Sequence, residues 1–186
     1  MSKKFDPESL ESFSITREMY DWVESAILAV VCMLLIFTFV GRMIGVDGRS
    51  MENTLFHADR LISSRIAYTP SGGDVVVVTM PGVHRAPIVK RVIATGGQTI
   101  DIDFALGIVY VDGAAQNEPY ITEPTFNRFD MQFPQIVPEG HVFILGDNRN
   151  NSWDSRASQI GMVDERFILG RVLYRVLPYE RMGVVN

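Results

Sequence analysis

The sequence predicts a mainly β domain, a strongly twisted antiparallel sheet or barrel, behind a single N-terminal transmembrane helix. Three observations predict it. An uncharged apolar run, Ser25 to Gly41, precedes everything else. Short stretches rich in β-branched and aromatic residues then recur along the chain. Gly, Pro and Asp clusters bound them. At 186 residues the chain has room for one modest domain and an appendage.

Residues 1–21 are polar, with five acids against three bases. The 17 residues from Ser25 to Gly41 would rise roughly 26 Å as a helix, about the depth of a bilayer core. Tyr20 and Trp22 supply an interfacial aromatic pair at one end, and Arg42 a snorkelling cation at the other. A buried helix of a soluble core would normally show a polar stripe, and only Ser25 and Thr38 interrupt this surface. A cleaved secretory signal would need a basic segment directly before the core and a small-x-small site after it. Asp21 and Glu24 stand before the core instead, and Gly41-Arg42-Met43-Ile44 is a poor cleavage site. The segment therefore reads as a retained anchor. Its orientation stays open on charge, because Lys3, Lys4 and Arg17 precede it while Arg42, Arg49 and Arg60 follow. The expected organisation is an N-terminal segment 1–21, an anchor 22–44 and a β domain 45–186.

Within that domain, strands are expected at Val75–Thr79, Ile88–Ile93, Ile108–Val111, His141–Leu145 and Leu173–Leu177. Asp112-Gly113 after an alternating run signals a hairpin. Val163 to Leu169, opened by Asp164 and Glu165 and closed by Gly170, could form a helical turn or two. The stretch at about 115–138, with four prolines from Asn117 to Pro138, reads as an excursion from the sheet.

Composition removes several function classes. With 47% hydrophobic residues and a formal charge of −5, the chain is too apolar to be disordered. Beyond Gly45 there are 13 Lys/Arg against 16 Asp/Glu, with no basic cluster longer than Lys90-Arg91, so no nucleic-acid partner is expected. The single cysteine, Cys32, excludes an internal disulfide framework and any multi-cysteine metal site. There is no Gly-rich phosphate loop, no His-Glu-x-x-His and no Gly-x-Ser-x-Gly elbow. His57, His84 and His141 are isolated and suit surface or capping roles.

Three dense polar clusters remain: Asp47 to Leu55, Val89 to Gly97, and Gly146 to Arg156. The chain has three lysines, two of them at the N-terminus, which leaves Lys90 as the one lysine of the β domain. Lys90 lies among Ile88, Val89, Val92 and Ile93, so its ammonium must be desolvated or turned aside. Desolvation lowers a lysine pKa, and a neutral lysine is a competent general base. A serine beside such a base becomes a nucleophile. Taken singly, Lys90 could equally snorkel from an edge strand and Ser50 cap a turn.

Together the clusters carry a resemblance. Ser50-Met51-x-x-Thr54-Leu55 after an apolar helix, Gly73-Asp74-Val75-Val76-Val77, Lys90-Arg91-Val92-Ile93 and Gly146-Asp147-Asn148-Arg149-x-x-Ser152-x-Asp154-Ser155-Arg156 stand in the order found in bacterial type I signal peptidases. From about Asp21 to Met182 the chain resembles that family. The resemblance implies a membrane-bound Ser/Lys endopeptidase of mostly β fold that needs no metal or cofactor. It would cut N-terminal signal peptides from exported preproteins after small residues, with possible proximity to the secretion translocon. It also implies a bacterial cell-membrane location, with a single pass, a cytoplasmic N-terminus and an extracytoplasmic catalytic domain. Ser50 would be the nucleophile and Lys90 the general base. The oxyanion would rest on backbone N–H of Ser50, because Gly48 stands where some relatives have a serine hydroxyl. Ser152 would orient the lysine amine, Asp154 and Arg156 would form a bracing pair, and Asp147 would pair with Arg91. Met51 and Leu55 match family positions that help line pockets for small residues. Ile88 should share a face with Lys90 on a strand able to pair with extended substrate.

One position departs from the pattern: Asn53 replaces the usual proline of Ser-Met-x-Pro-Thr-Leu. Losing proline loosens φ and restores an N–H, so slower or retuned cleavage is expected. Two alternatives stand beside this reading: from another class, a membrane-tethered, catalytically weak or inactive relative that binds exported segments, and, within hydrolysis, a histidine base drawn from His57, His84 or His141.

Overall fold

The computed structural model describes residues 8–39, 42–83 and 86–185, with side chains in the first stretch described for 17–34. His84 lies outside the described residues. The chain divides into two compact units, Met1–Val40 and Gly41–Asn186.

The first unit is one helix, α1, Glu8–Phe39. It begins well before the predicted anchor. Its described apolar side chains are exposed on all sides, among them Ile27, Leu28, Val30, Met33 and Leu34. Among the described residues no helix is long and apolar enough to cross a membrane. Residues 35–41 of the predicted apolar run lie outside those whose side chains are described.

Among its described residues the second unit has twelve strands: β1 Arg42–Gly45, β2 Arg60–Ser64, β3 Val75–Val78, β4 Ile88–Thr95, β5 Thr99–Asp103, β6 Ile108–Val111, β7 Ala114–Ala115, β8 Gln135–Ile136, β9 His141–Leu145, β10 Val163–Asp164, β11 Ile168–Leu177 and β12 Gly183–Val184. Eight form one sheet in the order β1-β2-β11-β3-β4-β9-β10, with β12 also on β11, and four form a second in the order β7-β6-β5-β8. Every pairing is antiparallel. The five expected strands are present. β11 is longer than its predicted piece, and bulges along it let it bridge β2 and β3.

Sequence expectations need three corrections. The anchor range 22–44 runs too far, because Met43 and Ile44 pair with Ile62 and Leu61 as part of β1. The region 163–169 is strand, one turn of 3₁₀ helix over Glu165–Phe167, and strand again. Asp164 caps that turn by accepting from Arg166 N–H. The excursion at 115–138 is not wholly outside the core: Val137 and Thr125 are fully buried, and Gln135–Ile136 pairs with β5.

The Asp112-Gly113 hairpin joins β6 to β7 with Val111 opposite Ala114. Both turn residues have positive φ, 52° and 78°, as a type I′ turn demands. Three apolar clusters fill the unit. Val46, Met51, Leu55, Leu61, Val75, Val77 and Val89 belong to the first, which supports the segment carrying Ser50. Val76, Val78, Val92 and Ile144 lie in the second, and Ile93, Ile100, Val109 and Phe143 in the third.

Candidate active site

Ser50 stands where the chain leaves β1 and enters a tight turn. Val46 N–H donates to Asp59 O and Ala58 N–H to Val46 O, closing the loop between β1 and β2. Gly48 has φ +93°, a left-handed conformation that suits glycine, and its N–H reaches His57 Nδ1 at 3.3 Å. The N–H groups of Thr54 and Leu55 both donate to Met51 O, which winds residues 51–55 into a helical turn. Met51 and Leu55 on that turn are buried in the first core cluster. The hydrophobic effect thus holds the turn down and leaves Ser50 half-buried at its start.

Lys90 comes from β4, which is flanked by β3 along Ile88–Arg91. It is 4% exposed. Its Nζ lies 2.7 Å from Ser50 Oγ and 3.1 Å from the Val89 carbonyl oxygen. Burial drives the ammonium pKa down to about 8 from 10.5, against the opposing pull of the Asp154 and Asp147 carboxylates.

Those two carboxylates are engaged elsewhere. Asp147, fully buried, accepts from Arg91 Nε and Nη2 at 2.8 Å each, and from the Thr54 hydroxyl. Arg91 Nη1 also donates to Gly73 O at 2.7 Å, and its guanidinium stacks on the Tyr120 ring at 3.9 Å. Asp154 accepts from Arg156 Nε and Nη2 at 2.8 and 2.9 Å, and from Gly146 N–H. Both ion pairs are bidentate and buried, so neither acid is spent on the lysine.

The loop after β9 is fastened directly to the serine segment. Asn148 N–H donates to Ser50 O at 3.0 Å, and its side-chain amide donates to Arg49 O at 3.1 Å. Gly146 permits this approach: a Cβ there would overlap Ser152 Oγ and the Ser50 carbonyl oxygen. Any other residue would push the third cluster away from the first.

The sequence-predicted site residues therefore converge, with two corrections. The expected hydrogen bond from Ser152 to the lysine is not made. Ser152 Oγ is buried and has no hydrogen-bond partner among the described residues. Leu55 is fully buried and does not line the cleft over the serine, whereas Met51 and Ile88 do. The register of Lys90 opposite Val76 and Ile88 opposite Val78 sets those two β4 residues on one face, as alternation requires. Sequence reasoning missed Thr54 and Asn148, which tie the clusters together. It also missed the Arg149–Glu118 pair, in which Arg149, fully buried, donates to Glu118 and to Thr125 Oγ1. The signal available for Arg149 and Asn148 was their place inside the densest polar motif; nothing local marks Glu118.

The cleft above the dyad encloses about 440 Å³ between residues 45–51 on one wall and 86–90 on the other, with Asn151 and Trp153 completing it. Pairing of β4 with β9 begins only at Arg91. Among the described residues, no strand therefore covers the edge of Ile88–Lys90 opposite β3. Chemically this is a hydroxyl against a buried, weakened ammonium at the foot of an open groove with an unoccupied strand edge. No group of His, Cys, Asp and Glu among the described residues could hold a metal ion.

Known proteins share this chain's sequence over most of its length. The family model described as "Signal peptidase, peptidase S26" matches residues 19–177. A protein named probable signal peptidase I-1, from Synechocystis sp., is 36% identical over 167 residues, covering 84% of this chain and 81% of that one. Signal peptidase I S of Bacillus subtilis is 30% identical over 187 residues, covering 95% and 98%. A solved signal peptidase I from Enterococcus faecalis V583 overlaps 56% of this chain and 97% of its own at 25% identity and a TM-score of 0.46. The assignment follows from the sequence matches rather than from that overlap. On the extent of those matches, the chain belongs to the signal peptidase, peptidase S26, family.

Proposed function

We propose that this protein is a membrane-bound serine endopeptidase that removes N-terminal signal peptides from exported preproteins after small residues. The observation that carries the reading is the 2.7 Å contact between Ser50 Oγ and a lysine nitrogen buried at 4% exposure. At pH 7 a lysine of pKa about 8 is neutral roughly one time in ten, against about one in 3,000 at the ordinary value. A neutral Nζ has two N–H bonds and one lone pair. With one N–H directed to Val89 O, the lone pair can face the Ser50 hydroxyl.

As Ser50 Oγ forms its bond to the scissile carbonyl carbon, its proton passes to Lys90 Nζ. The resulting oxyanion is held by the backbone N–H of Ser50, a type of contact worth roughly 3–4 kcal/mol where such donors have been removed. Lys90 then delivers the proton to the leaving nitrogen as the C–N bond breaks. In the second half, water attacks the acyl-serine, gives its proton to Lys90, and the Ser50 hydroxyl is restored. Asp147–Arg91 and Asp154–Arg156 keep their carboxylates off the amine. A direct acid contact would raise the lysine pKa and oppose catalysis.

Substrate is placed as an added strand on the Ile88–Lys90 edge, its alternate side chains falling against Met51 and Ile88. Small residues at the cut are what the family resemblance implies for these positions. Asn53 is exposed and takes no part in the Ser50–Lys90 contact, so its departure from proline does not argue for an idle binding module. Helix α1, apolar on every described side from Ile27 to Leu34, is the proposed anchor, with the N-terminus cytoplasmic and the catalytic unit outside. A helix exposing such a surface needs a nonpolar surround. Sedimentation after alkaline carbonate extraction should leave the full chain in the membrane pellet, and recovery in the supernatant would contradict the anchor.

The function is tested by incubating purified chain with a preprotein and measuring product masses. A shortened product cut after a small residue is expected. The rate constant kcat/KM should rise with pH, because only neutral Lys90 accepts the proton, with its midpoint near 8. A profile flat from pH 6 to 9 would oppose a lysine base.

A further inference from the structure

We infer that Trp153 is a specificity-determining residue that contacts the substrate on the leaving side of the scissile bond and favours a large apolar side chain there. This rests on the peptidase reading above. Trp153 is 38% exposed and lines the cleft with Asn151, although it sits between two buried neighbours, Ser152 and Asp154. Ser152 is extended, with φ −133° and ψ 128°, so the side chains of 152 and 153 diverge. The bidentate hold of Arg156 on Asp154 fixes the residue that follows the indole, and Asn151 N–H bonded to Asn148 O fixes the turn before it. The backbone that carries the indole is therefore fixed at the wall of the groove.

Its position along the groove follows from the elements that form the walls. Residues 45–49 and 86–89 lead away from the dyad beside the uncovered β4 edge, which takes the acyl portion of an extended substrate. The loop bearing Trp153 is fastened at the dyad itself, through Asn148 N–H to Ser50 O and the close approach of Gly146. With the acyl part along Ile88, the Asn151–Trp153 wall of the same cleft is the part assigned to the residues beyond the bond attacked by Ser50. A partly exposed indole offers a large apolar contact area at little entropic cost.

The protein contains two tryptophans, Trp22 and Trp153, which permits a direct test. In the full chain carrying Trp22→Phe and Ser50→Ala, in detergent micelles, Trp153 is the sole indole. Three peptides are compared: one crossing the cut site with leucine in the second position beyond it, the same with glycine there, and one ending at the residue before the cut. Indole emission should shift to shorter wavelength with the leucine peptide. It should stay unchanged with the truncated peptide, even where that peptide competes for the site. In the Trp22→Phe enzyme with Ser50 intact, Trp153→Ala should raise KM for the leucine peptide about tenfold. The preference for leucine over glycine should fall to near one, and Trp153→Phe should recover much of it. An equal emission shift with the truncated peptide, or a leucine-to-glycine preference that survives Trp153→Ala, would overturn the assignment. Failure of the enzyme with Ser50 and Trp153 intact to cut any of the spanning peptides would instead remove the peptidase reading.

Discussion

Replacing Lys90 with methionine is expected to lower kcat/KM for preprotein cleavage by about 10⁴-fold or more, since groups that act as a catalytic unit lose nearly everything when one is removed. The same change is expected to stabilise the fold at pH 7. Burying the ammonium depresses its pKa from 10.5 to about 8, a penalty of about 3 kcal/mol while the group is protonated in both folded and unfolded chains. Methionine fills similar space without charge. It forfeits the contacts to Ser50 Oγ and Val89 O, which together contribute roughly 1–2 kcal/mol. The net gain at pH 7 is therefore about 1–2 kcal/mol. The sign is that of a carboxylate with a lowered pKa, and only the pH range differs. Between about 8 and 10.5 the unfolded chain binds the proton that the folded chain has released, so wild-type stability rises with pH through that window. Below 8 that stability is lost. Denaturant melts of both proteins at pH 7 and pH 10 should show the advantage of methionine shrinking at the higher pH. A variant that still cleaves within tenfold of wild type would remove Lys90 from the mechanism.

Asp154→Ala should be the most damaging change outside the dyad. It leaves the Arg156 guanidinium, fully buried, without its bidentate carboxylate, and frees Gly146 N–H from its acceptor. Breaking a buried pair on one side costs about 3–5 kcal/mol, which for a domain of this size lowers Tm by roughly 10–20 °C. Asp154 also raises the Lys90 pKa, so any residual activity should shift its pH midpoint downward. Asp164→Ala is the control. It breaks an equally short pair, but Arg166 there is 84% exposed, and solvent screening leaves such pairs little weight. Calorimetry showing equal losses for the two variants would contradict the bracing role given to Asp154.

Residues legible in the sequence were those whose local pattern equals their environment. Val75–Val78 is buried at every position, as a continuous β-branched run implies. Asp112-Gly113 carried its turn chemistry openly. β5 alternates Thr-Ile-Asp-Ile-Asp with both isoleucines in the core, yet its aspartates and the neighbouring Gly96-Gly97 mask it as loop. β1 is hidden because Met43 and Ile44 extend the apolar texture of the preceding run. β8 forms only because β5 lies alongside it, a pairing no local window contains. At the site, composition singled out Lys90, and the motifs implied its partner. The ties that join the clusters, Asn148 to Ser50 and Thr54 to Asp147, bridge residues more than ninety positions apart. That the buried Ser152 hydroxyl has no hydrogen-bond partner among the described residues is encoded by no motif.

The central claim, a buried lysine whose pKa is brought down to about 8 against a serine hydroxyl, is open to direct titration because the chain has only three lysines. Protein labelled with ¹³C at lysine Cε should give three resonances, with the signal that vanishes in Lys90→Met assigned to Lys90. The account predicts that this signal titrates near pH 8. A Lys90 signal that titrates near the ordinary value of about 10.4 would contradict it.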